Sequence, residues 1–340
     1  MFTLLKTVFA FFLTGSIILY SDKMTGAAFD GLNLWMYTVV PSLFPFMVIS
    51  SWLSFNTKPK SSVLDSIALR LFGVPAGLMP VFAVSILSGY PVGAKIISGL
   101  YSDNRISKET AEHMLSFCNN PGAVFIISAV SSSMLSDRYS APFFIAVCIF
   151  SSLITGFVYN MLFPYSYIQC VSLISNKENN IYSSISSAVK SILMIGGCII
   201  FFSVVTEAFM NVLPSSNAAM AGIVGGILEF TRGISIAAAS GCSKKAVYSL
   251  IAAILCWGGL SVHLQTLAVT GNSDINMRKY MVCKAFSSGT AYLTSFIFYD
   301  FYFRNVSTYP VFNEINARPS IFAVSAFLAI SVFLFFHEKK

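Results

Sequence analysis

The sequence predicts an all-α, polytopic membrane protein with two internal repeats and broken or re-entrant helices. Three observations lead there. The 340 residues are 56% hydrophobic and only 10% charged, where a soluble domain carries roughly 25% charged residues. The apolar runs are long and continuous rather than alternating, which excludes an outer-membrane barrel. Two polar, Gly/Pro-rich clusters interrupt membrane-length sequence: Ser88-Gly89-Tyr90-Pro91-Val92-Gly93-Ala94-Lys95 and Cys118-Asn119-Asn120-Pro121-Gly122. A bilayer has no water for free backbone N–H and C=O groups, so a broken helix survives there only inside protein or along a cavity. Transporters use such breaks to bind solute.

The elements follow from the need for about 20 apolar residues per crossing. Leu4–Tyr20 resembles a secretory signal, but no small-x-small cleavage site follows, so it reads as an uncleaved first transmembrane helix. Leu34–Phe55 is the second span, kinked by Pro41 and Pro45. Ser61–Phe72 has apolar residues at helical spacing with Asp65 and Arg70, and lies at the interface or links two spans. Gly73–Ser88 and Pro91–Tyr101 are each too short to span alone; they form one broken span or a re-entrant hairpin. Ser107 is the expected N-cap of a helix reaching Cys118, which breaks at Asn119-Asn120-Pro121-Gly122 and resumes as Ala123–Leu135. Pro142–Phe163 is a clean span, and the polar stretch Pro164–Ser184 reads as the loop between two halves.

Ala188–Leu213 opens the second half. Ala219–Ala239 is interrupted by Glu229, Arg232 and Gly233, and Lys244–Thr270 by Trp257-Gly258-Gly259. Met281–Tyr302 and Ile321–Phe336 bring the total to roughly nine or ten membrane segments. Lys339-Lys340 places the C-terminus in the cytoplasm, and Lys58, Lys60 and Arg70 place their loop there too.

The halves resemble each other. Ser88 and Glu229, each opening a polar interruption after Ile-Leu, are 141 residues apart; Cys118 and Cys256, each closing a helix that begins with Ser-Lys, are 138 apart. The expected organisation is therefore an N-terminal helix and loop (1–33), a first repeat (34–164), an inter-repeat loop (165–187), a second repeat (188–303) and a C-terminal loop and helix (304–340). Duplicated halves with unwound elements at matching positions point to a binding site at their interface.

The candidate site comes from these interruptions. Pro91 holds Tyr90 extended, and Gly89 and Gly93 permit unusual dihedrals and close approach. A helix starting at Pro91 aims the free N–H groups of Val92, Gly93 and Ala94 into the gap, a favourable place for an anion. Ser88 opens this break, and Lys95 adds a full charge one turn in. Tyr90 and Trp257 offer an aromatic face, and Asn119 and Asn120 offer amide donors and acceptors. Glu229 and Arg232, three residues apart, either neutralise each other or leave Arg232 facing the cavity to grip a carboxylate by its planar fork. His263 is a packed hydrogen-bonder or a proton carrier; Glu207 is a coupling-ion or proton site or lies near the end of its span. Lys284 also falls within an apolar run. Glu112 and His113 read as interfacial.

The net charge of +7 comes from 21 basic residues scattered through connecting segments, the positive-inside bias of a membrane protein rather than a nucleic-acid footprint. The seven cysteines show no Cys-x-x-Cys pair and no metal spacing, so they read as reduced thiols facing lipid or core. Hydrolase, zinc-protease, phosphate-loop and kinase motifs are absent, so neither an enzyme nor a cofactor is expected, and transport would be gradient-driven or passive.

Ser88-Gly89-Tyr90-Pro91-Val92-Gly93-Ala94-Lys95 followed by Phe117-Cys118-Asn119-Asn120-Pro121-Gly122 resembles the YlbJ-type sporulation integral membrane proteins, within the wider group carrying the nucleoside-recognition, or Gate, domain. The resemblance runs from about Leu34 to Phe303. It implies a fold similar to concentrative nucleoside transporters in a membrane protein of an endospore former, and movement of dipicolinic acid, a small aromatic dicarboxylate, across a forespore membrane. A homo-oligomer follows only by analogy to that fold. The residues independently suggest a small anionic solute. Nucleosides or another neutral solute, and a non-transport role in spore-envelope assembly, are the competing readings.

Overall fold

The computed structural model describes residues 2–52, 63–164, 180–212, 218–271 and 273–306, all helix or short connection with no strand among them. The readings of Lys58 and Lys60, the polar loop at 165–179, the last span Ile321–Phe336 and Lys339-Lys340 lie outside the described residues. The chain divides into Met1–Tyr299 and Asp300–Lys340, and the second unit is described only where it ends the last helix.

The first half opens with α1 (Phe2–Leu19) and α2 (Ser21–Leu34), which passes through a π-helical turn (Trp35–Val39) into α3 (Val40–Trp52). The stretch after Tyr20, expected as a loop, is thus helical. Its small residues explain why: a Cβ at Gly31 would lie 2.8 Å from Ser203 Oγ, and one at Gly196 would fall 2.6 Å from the Trp35 ring. Both contacts seat the α2–α3 element on α10 (Ile181–Val212), and Trp35 Nε1 donates to the Ile192 carbonyl at 2.9 Å. Small residues let apolar helices approach this closely. The helix α10 also starts earlier than Ala188, so 181–187 is not part of a loop.

After α4 (Val63–Phe72) come a 3-10 turn (Ala76–Leu78), α5 (Met79–Ser88) and α6 (Val92–Ser102). Asp65 is buried and accepts from the Ala76 N–H at 2.8 Å, while Val63, Leu64, Ile67 and Leu71 point outward. Helices α5 and α6 pack on each other across the three-residue turn Gly89-Tyr90-Pro91, so this stretch is a helical hairpin. Then follow α7 (Lys108–Phe117), the break at Cys118–Gly122, the short α8 (Ala123–Phe125), a π-helical stretch (Ile126–Met134) and the long α9 (Ser140–Leu162). Ser107 caps α7 through the Thr110 N–H, as its sequence position suggests.

The second half follows. After α10 come the hairpin α11 (Ala218–Leu228) and α12 (Phe230–Ala238), then α13 (Lys244–Trp257), a break at Gly258, α14 (Gly259–Thr270) and the long α15 (Met277–Val306). Ser243 caps α13, the counterpart of Ser107. Gly222 meets Ala237 while Gly225 and Gly226 meet Gly233, a register in which the two helices run antiparallel. Gly222/Gly226 and Gly233/Ala237 each have small-xxx-small spacing, so the hairpin closes backbone on backbone. The halves interleave: α9 packs on α7 and α13, and α14 on α6 and α10.

Among the described residues, three helical stretches are long and apolar enough to cross a membrane (Ser140–Leu162, Ile181–Val212 and Lys244–Thr270), or up to five if each bent pair is one span, and Lys6–Leu19, Ala123–Met134 and Ala219–Leu228 are shorter apolar helices. Several apolar runs became hairpin arms of about ten residues, and Ser287, Ser288, Thr290, Thr294 and Ser295 dilute the hydropathy of α15. The cysteines described, Cys118, Cys148, Cys198, Cys242, Cys256 and Cys283, are free, and all but Cys242 are buried.

Glu112 and His113 are buried within the protein. Glu112 accepts from Lys279 Nζ at 2.6 Å and from the Asn276 N–H at 3.1 Å. Beside it Asp274 accepts from the Tyr101 hydroxyl and, at 2.9 Å, from Lys108, and these bonds hold its carboxyl below the ordinary value.

Two tests follow. A Cβ at Gly233 would lie 2.2 Å from the Gly226 Cα, whereas one at Gly99 meets nothing within 4 Å. Gly233→Ala should therefore destabilise the protein by about 1–3 kcal/mol in detergent unfolding, and Gly99→Ala should not. The Asp274 contribution is present above the ordinary carboxylate pKa and lost as pH falls through its depressed one. Asp274→Asn should flatten the acid limb of the melting-temperature profile below about pH 4, slightly, because the group is exposed.

Candidate functional site

The site is built where each hairpin tip meets a helix break. Gly89 (φ +84°) lies against Gly122, and an added Cβ there would come 2.9 Å from the Gly122 nitrogen. A Cβ at Gly93 would overlap the Cys118 carbonyl oxygen at 1.7 Å. In the second half Gly258 and Gly259 both have positive φ, and a Cβ at Gly259 would lie 3.0 Å from the Phe230 nitrogen and 3.2 Å from the Glu229 Cα. Gly89, Gly93 and Gly259 are therefore held to glycine, because the backbones touch. The peptide bond Tyr90–Pro91 is cis.

The two tips also touch each other's halves. Tyr90 packs edge-on against Phe230 with centroids 5.3 Å apart, and Phe125, just after the first break, lies 5.2 Å from Phe230. The Tyr90 hydroxyl donates to the Leu255 carbonyl at 3.3 Å. Trp257 Nε1 donates to the Ile227 carbonyl at 3.2 Å, and its ring meets His263 edge-on at 4.3 Å. Both aromatic candidates thus serve the backbone of the breaks.

The asparagines do the same. Asn120 Nδ2 donates to the Phe117 carbonyl at 2.7 Å and to Ser85 Oγ at 3.3 Å, and its Oδ1 accepts from Ser152 at 2.6 Å. Asn119 Nδ2 donates to the Tyr280 hydroxyl at 2.7 Å and Thr266 Oγ1 at 3.0 Å, leaving its Oδ1 without a partner. The Asn119 carbonyl accepts from Lys284 Nζ at 2.9 Å. Lys284 is 2% exposed and, among the described residues, no carboxylate pairs with it.

Several expected contacts differ. The Val92 N–H is used by the Gly89 carbonyl at 3.0 Å, and the first turn of α6 faces the Cys118–Gly122 backbone rather than an open gap. Ser88 is buried beside it. Lys95 points at α10, donating to Ser191 Oγ at 2.9 Å and the Ser187 carbonyl at 3.1 Å. Glu229 does not pair with the Arg232 guanidinium: it caps α12, accepting from the Arg232 N–H at 2.8 Å and from the Thr231 hydroxyl. Arg232 reaches Glu207, and Asp30 at 3.3 Å. Glu207 is thereby the counter-ion of Arg232 and also accepts from Asn211. Sequence spacing pairs residues along one helix; the extended geometry of Glu229 sends its side chain back to its own helix start instead.

A cavity of about 410 Å³ surrounds Arg232, lined also by Asp30, Gly31, Ser203, Thr231 and Ser235. Lys284, Asn119, Trp257 and His263 do not line it. With two acids on one arginine its formal charge is negative, a poor anion site.

The chain resembles a known sporulation protein. It is 24% identical to the sporulation integral membrane protein YlbJ of Bacillus subtilis (strain 168), across 59% of this chain and 59% of that protein. The chain therefore covers under two thirds of that relative's length. No family model and no solved structure matches it. With its apolar helices, this similarity makes the chain an integral membrane protein related to YlbJ.

Lys284 is the group that sequence reasoning noticed but left out of the site. Its signal was a lone lysine in an apolar run; only packing could show that no carboxylate among the described residues pairs with it. Glu229→Ala removes the α12 cap and should cost about 0.5–2 kcal/mol in detergent unfolding, while Glu229→Asp should recover part of it.

Proposed function

We propose that this protein is a membrane transporter of a small organic anion, with dipicolinic acid in endospore formation as the solute and a forespore membrane as its location. One observation carries the reading: two helix breaks, the first against the hairpin tip at Gly89 and the second bringing Gly259 against the hairpin tip at Glu229, lie beside buried polar groups shared by the two halves. A protein needing only stability would be expected to run continuous helices there, since each unsatisfied backbone group in an apolar medium costs several kcal/mol. Breaks held tip-to-break by van der Waals contact and a few side-chain bonds are separable. The matching order of elements in the two halves supports a duplicated architecture, with the solute held where the copies meet. The similarity to a sporulation membrane protein supports the setting.

The second reading, a nucleoside or other neutral solute, draws on the Arg232 cavity, where Glu207 and Asp30 leave no positive charge to offer. A non-transport role in spore-envelope assembly is the third. Uptake of labelled dipicolinate into proteoliposomes, with uridine in parallel, separates them. We expect saturable dipicolinate flux above empty vesicles. Uridine flux alone would establish the neutral-solute reading, and neither flux with folded protein would favour an assembly role.

A further inference from the structure

We propose that Lys284 is the residue that takes the carboxylate of the bound anion, with the ring N–H of His263 as a second donor. This inference rests on the transport reading above and names the binding group within it.

A lysine ammonium has three N–H donors, and in this structure one reaches the Asn119 carbonyl. Burying a cation without a counter-charge is costly, so such a group is ordinarily paired or retained for function. Around it the polar atoms are also under-used. Asn119 Oδ1 and both ring nitrogens of His263 are buried without partners. Both residues are 5% exposed or less. They belong to one neighbourhood: Asn119 bonds both Lys284 and Tyr280, and the Tyr280 ring lies 5.5 Å from His263. Native interiors leave few such atoms. A small oxyanion supplies acceptors for the ammonium and imidazole hydrogens together with one negative charge. Arg232 and Lys95 are less suited, since Arg232 is neutralised by two acids and Lys95 bonds α10 away from the breaks.

Lys284→Gln tests this, because glutamine keeps a donor for the Asn119 carbonyl and loses the charge. In equilibrium binding of labelled dipicolinate to the full-length protein in detergent, we expect Lys284→Gln to weaken binding by about tenfold or more, the loss of one charge-assisted hydrogen bond. Lys190→Gln, on an exposed face of α10, should stay within about twofold. The neutral diamide of the same ring should not compete. Should the Lys284 variants fail to fold, amine acetylation of the wild type gives the same answer: dipicolinate should protect Lys284 about threefold or more, a protection that scales with site occupancy. Unchanged binding in Lys284→Gln, or no protection, overturns the inference while leaving transport intact. Binding that depends on Lys284 without flux upholds the inference and removes the transport reading. No dipicolinate binding by the wild type overturns both.

Discussion

Backbone satisfaction at the two breaks is the constraint on which the rest of the structure depends. Interrupting a helix in apolar surroundings frees carbonyls and N–H groups that no water can reach, and each costs several kcal/mol if left alone. Asn120 serves the Phe117 carbonyl locally, and other partners are recruited from distant sequence: Lys284 serves the Asn119 carbonyl, Tyr90 the Leu255 carbonyl and Trp257 the Ile227 carbonyl. Such reach is possible only if the hairpin tips lie directly against the breaks, which in turn demands glycine at 89, 93 and 259. The antiparallel closure of α11 on α12 and the seating of α2 on α10 follow the same rule of small residues at close contacts.

Charge is distributed on a second principle. Arg232 has Glu207 and Asp30, and Lys279 has Glu112, so these cations are compensated at or near the edges of the buried region. Lys284 is not. A cation held on a single peptide carbonyl has its direction set and its charge unanswered. The pair Glu207–Arg232 is better understood as an element joining α10 to α12 beside α2 than as a coupling device, because both groups already hold their counter-charges.

The polar character of the two breaks was legible in the sequence, because Gly, Pro and Asn clusters cannot continue a helix and their neighbours at apolar spacing must. So were the caps Ser107 and Ser243, which act within one turn. What failed were inferences of side-chain direction. Lys95 turns to α10, Glu229 to its own helix start, Tyr90 to a carbonyl of the other half and Trp257 to the end of α11. Each depends on which helix lies opposite, and periodicity within one element carries no information about that. The stretch after Tyr20 was misjudged for a related reason: its mean polarity suggests a loop, but its glycines and alanines find a close helical neighbour in α10.

The sequence by itself determined that the chain is helical, apolar enough to belong in a bilayer, interrupted at two polar clusters in the first half and at weaker ones in the second. These are local properties of composition and backbone freedom. Tertiary structure alone decided that the interruptions meet tip against break, that apolar runs after Gly73 and Ala218 fold back as hairpins, and that Arg232 is answered by carboxylates while Lys284, among the described residues, is not. Those outcomes turn on contacts between residues up to 202 positions apart, and only packing brings such residues together.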